Sequence, residues 1–363
     1  MERLISADSH VKVEHAQVKE HLVPRLHEAY DDAAGAYERE MGRGAGAVNR
    51  AGAQQATTTA NTSNVAANAV FTRPGYWDSS ERLKDMDLDG VEAEVLYSEV
   101  SAFRYLSNVQ DGVAEALQAF NDALHAFSSA SPDRLIVSYQ VPIHDIDMAI
   151  AEVNRVAALG ARSLQLPVFP AEMGLPDYYD ERYTPLFALV EEIGLPICCH
   201  IGLKLSLREL MQRDPTPQKA IMVQMTPLMT GEAFGMWIMA GVLARHPKLK
   251  LVFVEPGVAW VGWWLEMADD MVKRQGYQLP GLTDLPSEYF RRNVSLTFID
   301  EHYGVHRMRD VIGVENLMWS TDFPHPVTSF PHSRKIVDEQ FAGIPADERD
   351  LMVCGNAARV WNL

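Results

Sequence analysis

The stretch PLFALVEEIGLPICCHIG, residues 185–202, decides the fold of this chain. Pro185 to Ile193 spaces its apolar residues along one face of a helix. Leu195 to Gly202 is an apolar run of strand length that ends in chemically able side chains. The same alternation recurs along the whole chain. Strand-like runs stand at Leu4–His10, Val91–Val100, Leu135–Ile143, Ala161–Phe169, Leu195–Gly202, Leu249–Gly257, Val294–Phe298 and Leu317–Phe323. Helical patterns separate them, among others Val113–Ser129, Ile146–Leu159, Val258–Gln275 and Ser333–Phe341.

Strands that alternate with helices pair in parallel through crossovers, and unbroken apolar runs suit strands covered on both faces. Eight such units predict closure into an α/β (β/α)8 TIM barrel, one domain over residues 1–363. An open, doubly wound sheet would offer a glycine-rich phosphate turn after an early strand, and Ser9-His10-Val11-Lys12 has none. In a closed barrel the chemistry sits where strands end and the following loops begin. The residues that end each run are therefore the ones to inspect.

Composition narrows the classes of function. Hydrophobic residues at 47% and charged residues at 22% exclude a disordered or collagen-like chain. A formal net charge of -17 repels phosphate backbones and anionic headgroups, so neither nucleic acid nor a membrane surface is an expected partner. The three cysteines, Cys198, Cys199 and Cys354, include two neighbours, which suits a reducing cytoplasm better than a disulfide framework. Met1 to Asp8 lacks the apolar run of a signal peptide. The greasiest window, Ala233–Ala244, is shorter than the ~20 residues of a spanning helix and predicts a buried helix instead.

One segment breaks the rhythm. Asp31 to Val70 is rich in Ala, Gly, Asn and Thr, and residues 31–76 read as a loop inserted after the first strand. A solvated excursion is the simpler expectation. Its place on the loop-bearing side of the barrel also makes it a candidate lid. Arg73–Trp77 predicts an ordered turn leading into a helix around Ser80–Met86.

Four strand ends carry residues of metal-ligand type. Asp8 and His10, two apart, project to the same face of the first strand, and Glu14 follows in the loop above it. The fifth run ends at His200, the sixth at Glu255, and the eighth at Asp322 with His325 close behind. Charged or imidazole groups at the ends of greasy runs cost several kcal/mol if buried alone, and a cation would resolve that cost. Crowded carboxylates also raise one another's pKa unless a divalent ion keeps them ionised. His125, His144 and His246 lack such company and read as structural.

Asp8-Ser9-His10, Cys199-His200-Ile201-Gly202 and Trp319-Ser320-Thr321-Asp322-Phe323-Pro324-His325 together resemble the amidohydrolase-related branch of the amidohydrolase superfamily. That branch includes aminocarboxymuconate-semialdehyde decarboxylase. The resemblance spans nearly the whole chain and implies a distorted (β/α)8 barrel with a divalent metal held at its mouth by these strand ends. Three departures bear on the chemistry. Asp8 leads the first-strand pair where the family has His-x-His. Glu255 stands where many members carry a catalytic histidine, and Leu164-Gln165-Leu166-Pro167 has no lysine for a carbamylated bridge.

The ligand inventory implied at the mouth is Asp8, His10, Glu14, His200, Glu255, Asp322 and His325. Its hardness suits Fe or Mn, while a Zn site would favour more imidazole. Some proteins resembling this Glu-containing variant are dinuclear non-haem iron or manganese monooxygenases. The leading expectation is thus an oxidoreductase with two Fe, or Mn and Fe. It would hydroxylate a small or lipophilic carboxylic acid or its thioester, with Glu255 and Asp322 as catalytic residues. The alternative is a hydrolase or decarboxylase of a carboxylate-bearing substrate, in which Zn lowers the pKa of a bound water to about 7 and Glu255 relays a proton.

Around the mouth, Arg104 is a candidate clamp for a substrate carboxylate. Trp237 and the methionines Met222, Met225, Met229, Met236 and Met239 read as helix core or as the lining of an apolar substrate pocket. His332 reads as a helix-start residue or a donor behind the ligands. Trp260, Trp263 and Trp264 suit packing or a subunit interface. A homo-oligomer, or a pair with a related barrel subunit, is the expected assembly.

Overall fold

The computed structural model describes residues 2–37, 39, 72–98, 105–109, 111–201, 212–216, 220–279, 281–325 and 327–363. Eight strands follow one another in space as in sequence: β1 (Ile5–Val11), β2 (Ala93–Ser98), β3 (Leu135–Gln140), β4 (Ser163–Gln165), β5 (Pro196–His200), β6 (Lys250–Val254), β7 (Val294–Phe298) and β8 (Leu317–Trp319). Each pairs in parallel with the next. A bridge between Ser9 and Phe323 joins the last to the first, so the sheet closes into the (β/α)8 barrel. The closing hydrogen bonds run from His10 N–H to the Phe323 carbonyl at 2.6 Å and from Asp322 N–H to the Asp8 carbonyl at 2.9 Å.

Six of the eight strands, all but β1 and β7, are shorter than the apolar runs that announce them. Val141, Ile143, Leu166, Val168 and Phe169 are buried beyond the ends of β3 and β4. Burial makes these residues apolar without requiring them to pair, and Pro167 lacks the N–H that would extend the ladder. The connecting helices include Ser79–Asp89, Val113–Ser128, Ile146–Ala158, Thr184–Ile193, Val261–Gln275, His302–Ile312 and Ser333–Gln340. Asp78 and Asp145 start two of them by accepting from the first free N–H groups, and Gly194, at φ 78°, ends Thr184–Ile193.

One apolar layer lies between strands and helices, and a second fills the barrel itself. Ile5, Ala7, Val95, Tyr97, Ile136, Cys198, Val252, Val254 and Met318 form the inner layer together with Val360 and Trp361 of the C-terminal helix Asn356–Trp361. The interior is therefore a packed core, and polar side chains collect at the strands' C-terminal ends.

The apolar stretch Ala220–Arg245 is long enough to cross a membrane by length and composition alone. Here it forms a helix over Ala220–Phe234, a wider turn over Gly235–Met239 and a last turn over Val242–Arg245. Phe234 packs on Phe253 at 4.7 Å and on Phe290 at 5.6 Å, so its inward side belongs to the barrel wall. The start of the insertion is also more ordered than its composition suggests. Residues 27–37 are helical, with Tyr30, Ala33 and Ala34 buried. Most of the expected lid, 40–71, lies outside the described residues. Beyond it, Pro74–Tyr76 forms a tight turn before the helix Ser79–Asp89.

Candidate metal centre

Six side chains, on β1 and β5 and in the loops that follow β6 and β8, converge at the mouth. His10 Nε2 lies 3.1 Å from Asp322 Oδ1 and 3.9 Å from Asp8 Oδ1. His200 Nε2 lies 3.6 Å from Asp8 Oδ1 and 3.8 Å from Glu255 Oε2. The His10 ring centre is 4.9 Å from that of His200 and 4.2 Å from that of His325. Three overlapping triads result: Asp8–His10–His200, His10–Asp322–His325 and Asp8–Glu255–Asp322. Within each, the donor atoms lie no more than 4.8 Å apart.

Asp8 and Asp322 are fully buried, and Glu255 is 25% exposed at its side chain. Neither carboxylate oxygen of Asp8, nor His200 Nε2, has a hydrogen-bond partner among the described residues. A buried carboxylate left so costs several kcal/mol. The residues answer with protons. Burial pushes the His200 ring toward neutrality, but Asp8, then Glu255 and Asp322, lift its pKa to about 9. Burial likewise raises the Asp8 carboxyl, and His200, His10 and His325 together pull it below the ordinary carboxylate range. The donor set, mixed imidazole and carboxylate, fits a hard or borderline divalent ion.

Two ligand-type residues sit on unusual backbone. Glu255 has φ 60° and Asp322 φ 52°, left-handed values that cost a non-glycine residue roughly 1–3 kcal/mol. Surrounding groups impose them. Glu255 N–H donates to Thr297 Oγ1 at 2.8 Å, and Glu301 accepts from Val258 N–H at 2.9 Å in the loop just beyond. Asp322 is fixed through its own N–H to Asp8, while His325 N–H returns to the Asp322 carbonyl at 2.8 Å.

Sequence reasoning missed several supporting groups. Tyr97, buried beneath His200 with ring centres 5.7 Å apart, stays neutral because burial, then Cys198 and Asp8, raises its pKa well above 10.0. Ser6, Ser9 and Thr321 tie β1 to the end of β8, with Ser9 Oγ and Thr321 Oγ1 2.8 Å apart. Small hydroxyls inside apolar strands leave no pattern that would single them out.

Two sequence-predicted residues are not brought to the centre. Glu14 begins the short helix His15–His21, where its N–H donates to Gln17 Oε1 and its carboxylate pairs with Lys12 at 2.7 Å, 42% exposed. Nearness in sequence to a strand end did not set its direction. Trp237 is fully buried behind the wall, 4.7 Å from Tyr178 and 5.1 Å from Phe187, and belongs to the core rather than to a substrate pocket. Arg104 lies outside the described residues. His125 and His246 find Tyr139 and Glu191 as partners, in keeping with structural roles.

A closed parallel barrel with this mouth has the build of a metal-binding barrel enzyme. The amidohydrolase family model matches residues 7–363, and the chain belongs to that family. Gamma-resorcylate decarboxylase of Rhizobium sp. (strain MTP-10005) is 25% identical over 285 residues, covering 71% of this chain and 83% of the relative. The 2-amino-3-carboxymuconate-6-semialdehyde decarboxylase of Dictyostelium discoideum is 23% identical over 259 residues, covering 69% and 68%. The solved dihydroxybenzoic acid decarboxylase of Polaromonas sp. JS666, with bound manganese and the inhibitor 2-nitroresorcinol, superposes with a TM-score of 0.71 at 17% identity, covering 100% and 98%.

These relatives place the chain in the branch that the strand-end motifs implied, and they overturn the oxygenase expectation. The two relatives named above from Rhizobium and Dictyostelium are decarboxylases, which matches the alternative expectation rather than the oxygenase. Mixed nitrogen and oxygen donors serve a Lewis acid as well as a redox pair, so donor type could not separate the two chemistries.

Proposed function

We propose that this chain is a metal-dependent decarboxylase of a small, carboxylate-bearing aromatic or otherwise unsaturated acid. The observation that carries the proposal is the buried Asp8–His200 pair, whose donor atoms lack hydrogen bonds at the centre of a six-residue cluster. The activities of the two curated relatives support the reaction class.

Asp8, His10, His200 and Asp322 would hold a divalent ion, manganese in the Polaromonas neighbour, with His325 and Glu255 at the edge. Such an ion, when bound, anchors a substrate oxygen and stabilises the charge left as carbon dioxide departs. The chain's own residues supply position and a proton. Asp322 Oδ1 and His10 Nε2, 3.1 Å apart, stand at a separation suited to two ligands of one ion. Glu255, the most accessible of the three carboxylates, delivers the proton that replaces the lost carboxyl group on carbon and recovers one from water. The C–C bond breaks, its electron pair takes that proton, and carbon dioxide leaves.

The overlapping triads also bear on the number of ions. The triads Asp8–His10–His200 and His10–Asp322–His325 share His10, so an expected pair of ions could not each take a full triad, whereas a single ion needs one set only. Metal analysis of the purified chain counts them. Exposed Trp263, Met267 and Val311 supply an apolar surface suited to the expected homo-oligomer or partner barrel.

Carbon dioxide release from a panel of hydroxylated benzoates and unsaturated dicarboxylates, with manganese and with a chelator, tests the function. Release that chelation abolishes and manganese restores is expected. A fully loaded chain that releases none from any member would reject the reaction class.

A further inference from the structure

The seam where the barrel closes is also where two of the proposed ligands meet. Each other pair of neighbouring strands shares at least two registered residue pairs, whereas β1 meets the segment just after β8 in the single bridge Ser9–Phe323 among the described residues. Across that thin ladder His10 Nε2 and Asp322 Oδ1 are held 3.1 Å apart.

A buried arginine spans the seam. Arg82, on the helix Ser79–Asp89, is fully buried. Its Nε donates to Glu94 Oε2 at 2.5 Å, and one terminal nitrogen donates to the carbonyls of His10 at 2.9 Å and Gly75 at 3.2 Å. Its guanidinium carbon lies 4.3 Å from the centre of the Phe323 ring. Arg82 therefore grips the backbone of one proposed ligand and the side chain of the residue next to another. A buried Arg–Glu pair adds little net stability over an apolar pair, because desolvation offsets the attraction. A planar group that donates twice and stacks at once is, however, suited to fixing geometry.

We propose that Arg82 is a positioning residue for the metal centre, holding His10 and Asp322 in register across the closing seam. This rests on the metal-binding proposal above, and the test separates the two. Manganese dissociation constants and the electron paramagnetic resonance spectrum of bound manganese are measured beside the melting temperature of the metal-free chain. The double variant Arg82→Met/Glu94→Gln removes both charges and leaves neither stranded. It is expected to weaken manganese binding about ten- to hundredfold and to change the manganese spectrum. Arg82→Lys keeps a charge opposite Glu94 but cannot bond the His10 carbonyl and cover Phe323 together, and about fivefold weaker binding is expected.

Arg73→Met/Asp85→Asn, which strands no buried charge, is the control. It breaks the neighbouring ion pair with Asp85 and the stack on Phe330, and should leave the constant within about twofold. If neither Arg82 variant folds, Phe323→Leu, which keeps apolar volume and removes the stacked face, carries the test with about threefold weakening expected. A folded seam variant that binds manganese as tightly as the wild type overturns the role of Arg82 alone. A wild-type chain that binds no manganese overturns the metal centre and this inference with it.

Discussion

His200 Nε2 stands 3.6 Å from Asp8 Oδ1, and in the metal-free chain each sets the other's charge. Burial opposes the charged imidazole, yet Asp8 and the carboxylates behind it lift its pKa to about 9. Near neutral pH the ring is therefore protonated, and an ion that takes its place must displace that proton. Affinity should rise about tenfold per pH unit from 7 to 9 and level off above. Calorimetric titration with manganese in buffers of different ionisation heat should show one proton released by this ring. An affinity that does not change with pH would mean that His200 is neutral before the ion arrives.

The centre should fail when its inner donors go and survive loss of the outer one. His200→Ala and Asp322→Ala are each expected to weaken manganese binding about 100-fold or more and to remove activity. Glu14→Ala is expected to leave binding within about twofold, because that carboxylate pairs with Lys12 at the surface. Equal losses in all three would return Glu14 to the ligand set.

Glu255→Gln separates the proton donor from the ligand. If Glu255 delivers the proton, kcat should fall about 10²- to 10⁴-fold while manganese affinity and the number of ions per chain stay near wild type. A variant that loses an ion would make Glu255 a ligand first. Its left-handed backbone at φ 60° also predicts that Glu255→Asn melts at a higher temperature, since Asn adopts this conformation more readily.

What the sequence made legible follows from what burial forbids. His10, His200 and Asp322 stood out because a polar residue ending a greasy run has few cheap explanations. Apolar pattern could not separate a strand from a buried loop, so the run through Pro167 and Phe169 extended well past the three residues of β4. Arg82 was hidden for the opposite reason: SSERLKDMDLD looks like a solvated helix, and only the fold shows that this one cation points inward. Glu14 was misplaced because a helix begins there and turns the chain away. The donors alone did not choose the reaction class, since they suit oxidation, hydrolysis and loss of carbon dioxide alike, and the relatives favour the alternative, decarboxylation, over the leading oxygenase expectation.

Trp237 tests where the core ends and the pocket begins. Its ring is sealed among Tyr178 and Phe187, on the helix side of the barrel wall. Trp237→Ala would open a large cavity there and should cost about 3–5 kcal/mol of stability. Trp237→Phe keeps much of the fill, so it should fold with a lowered melting temperature and an unchanged KM for whichever acid is turned over. A residue lining the substrate pocket would do the reverse, moving KM strongly at little cost in stability. Thermal melts and steady-state kinetics on the phenylalanine variant decide between these placements, and a raised KM at wild-type stability would put Trp237 back at the substrate.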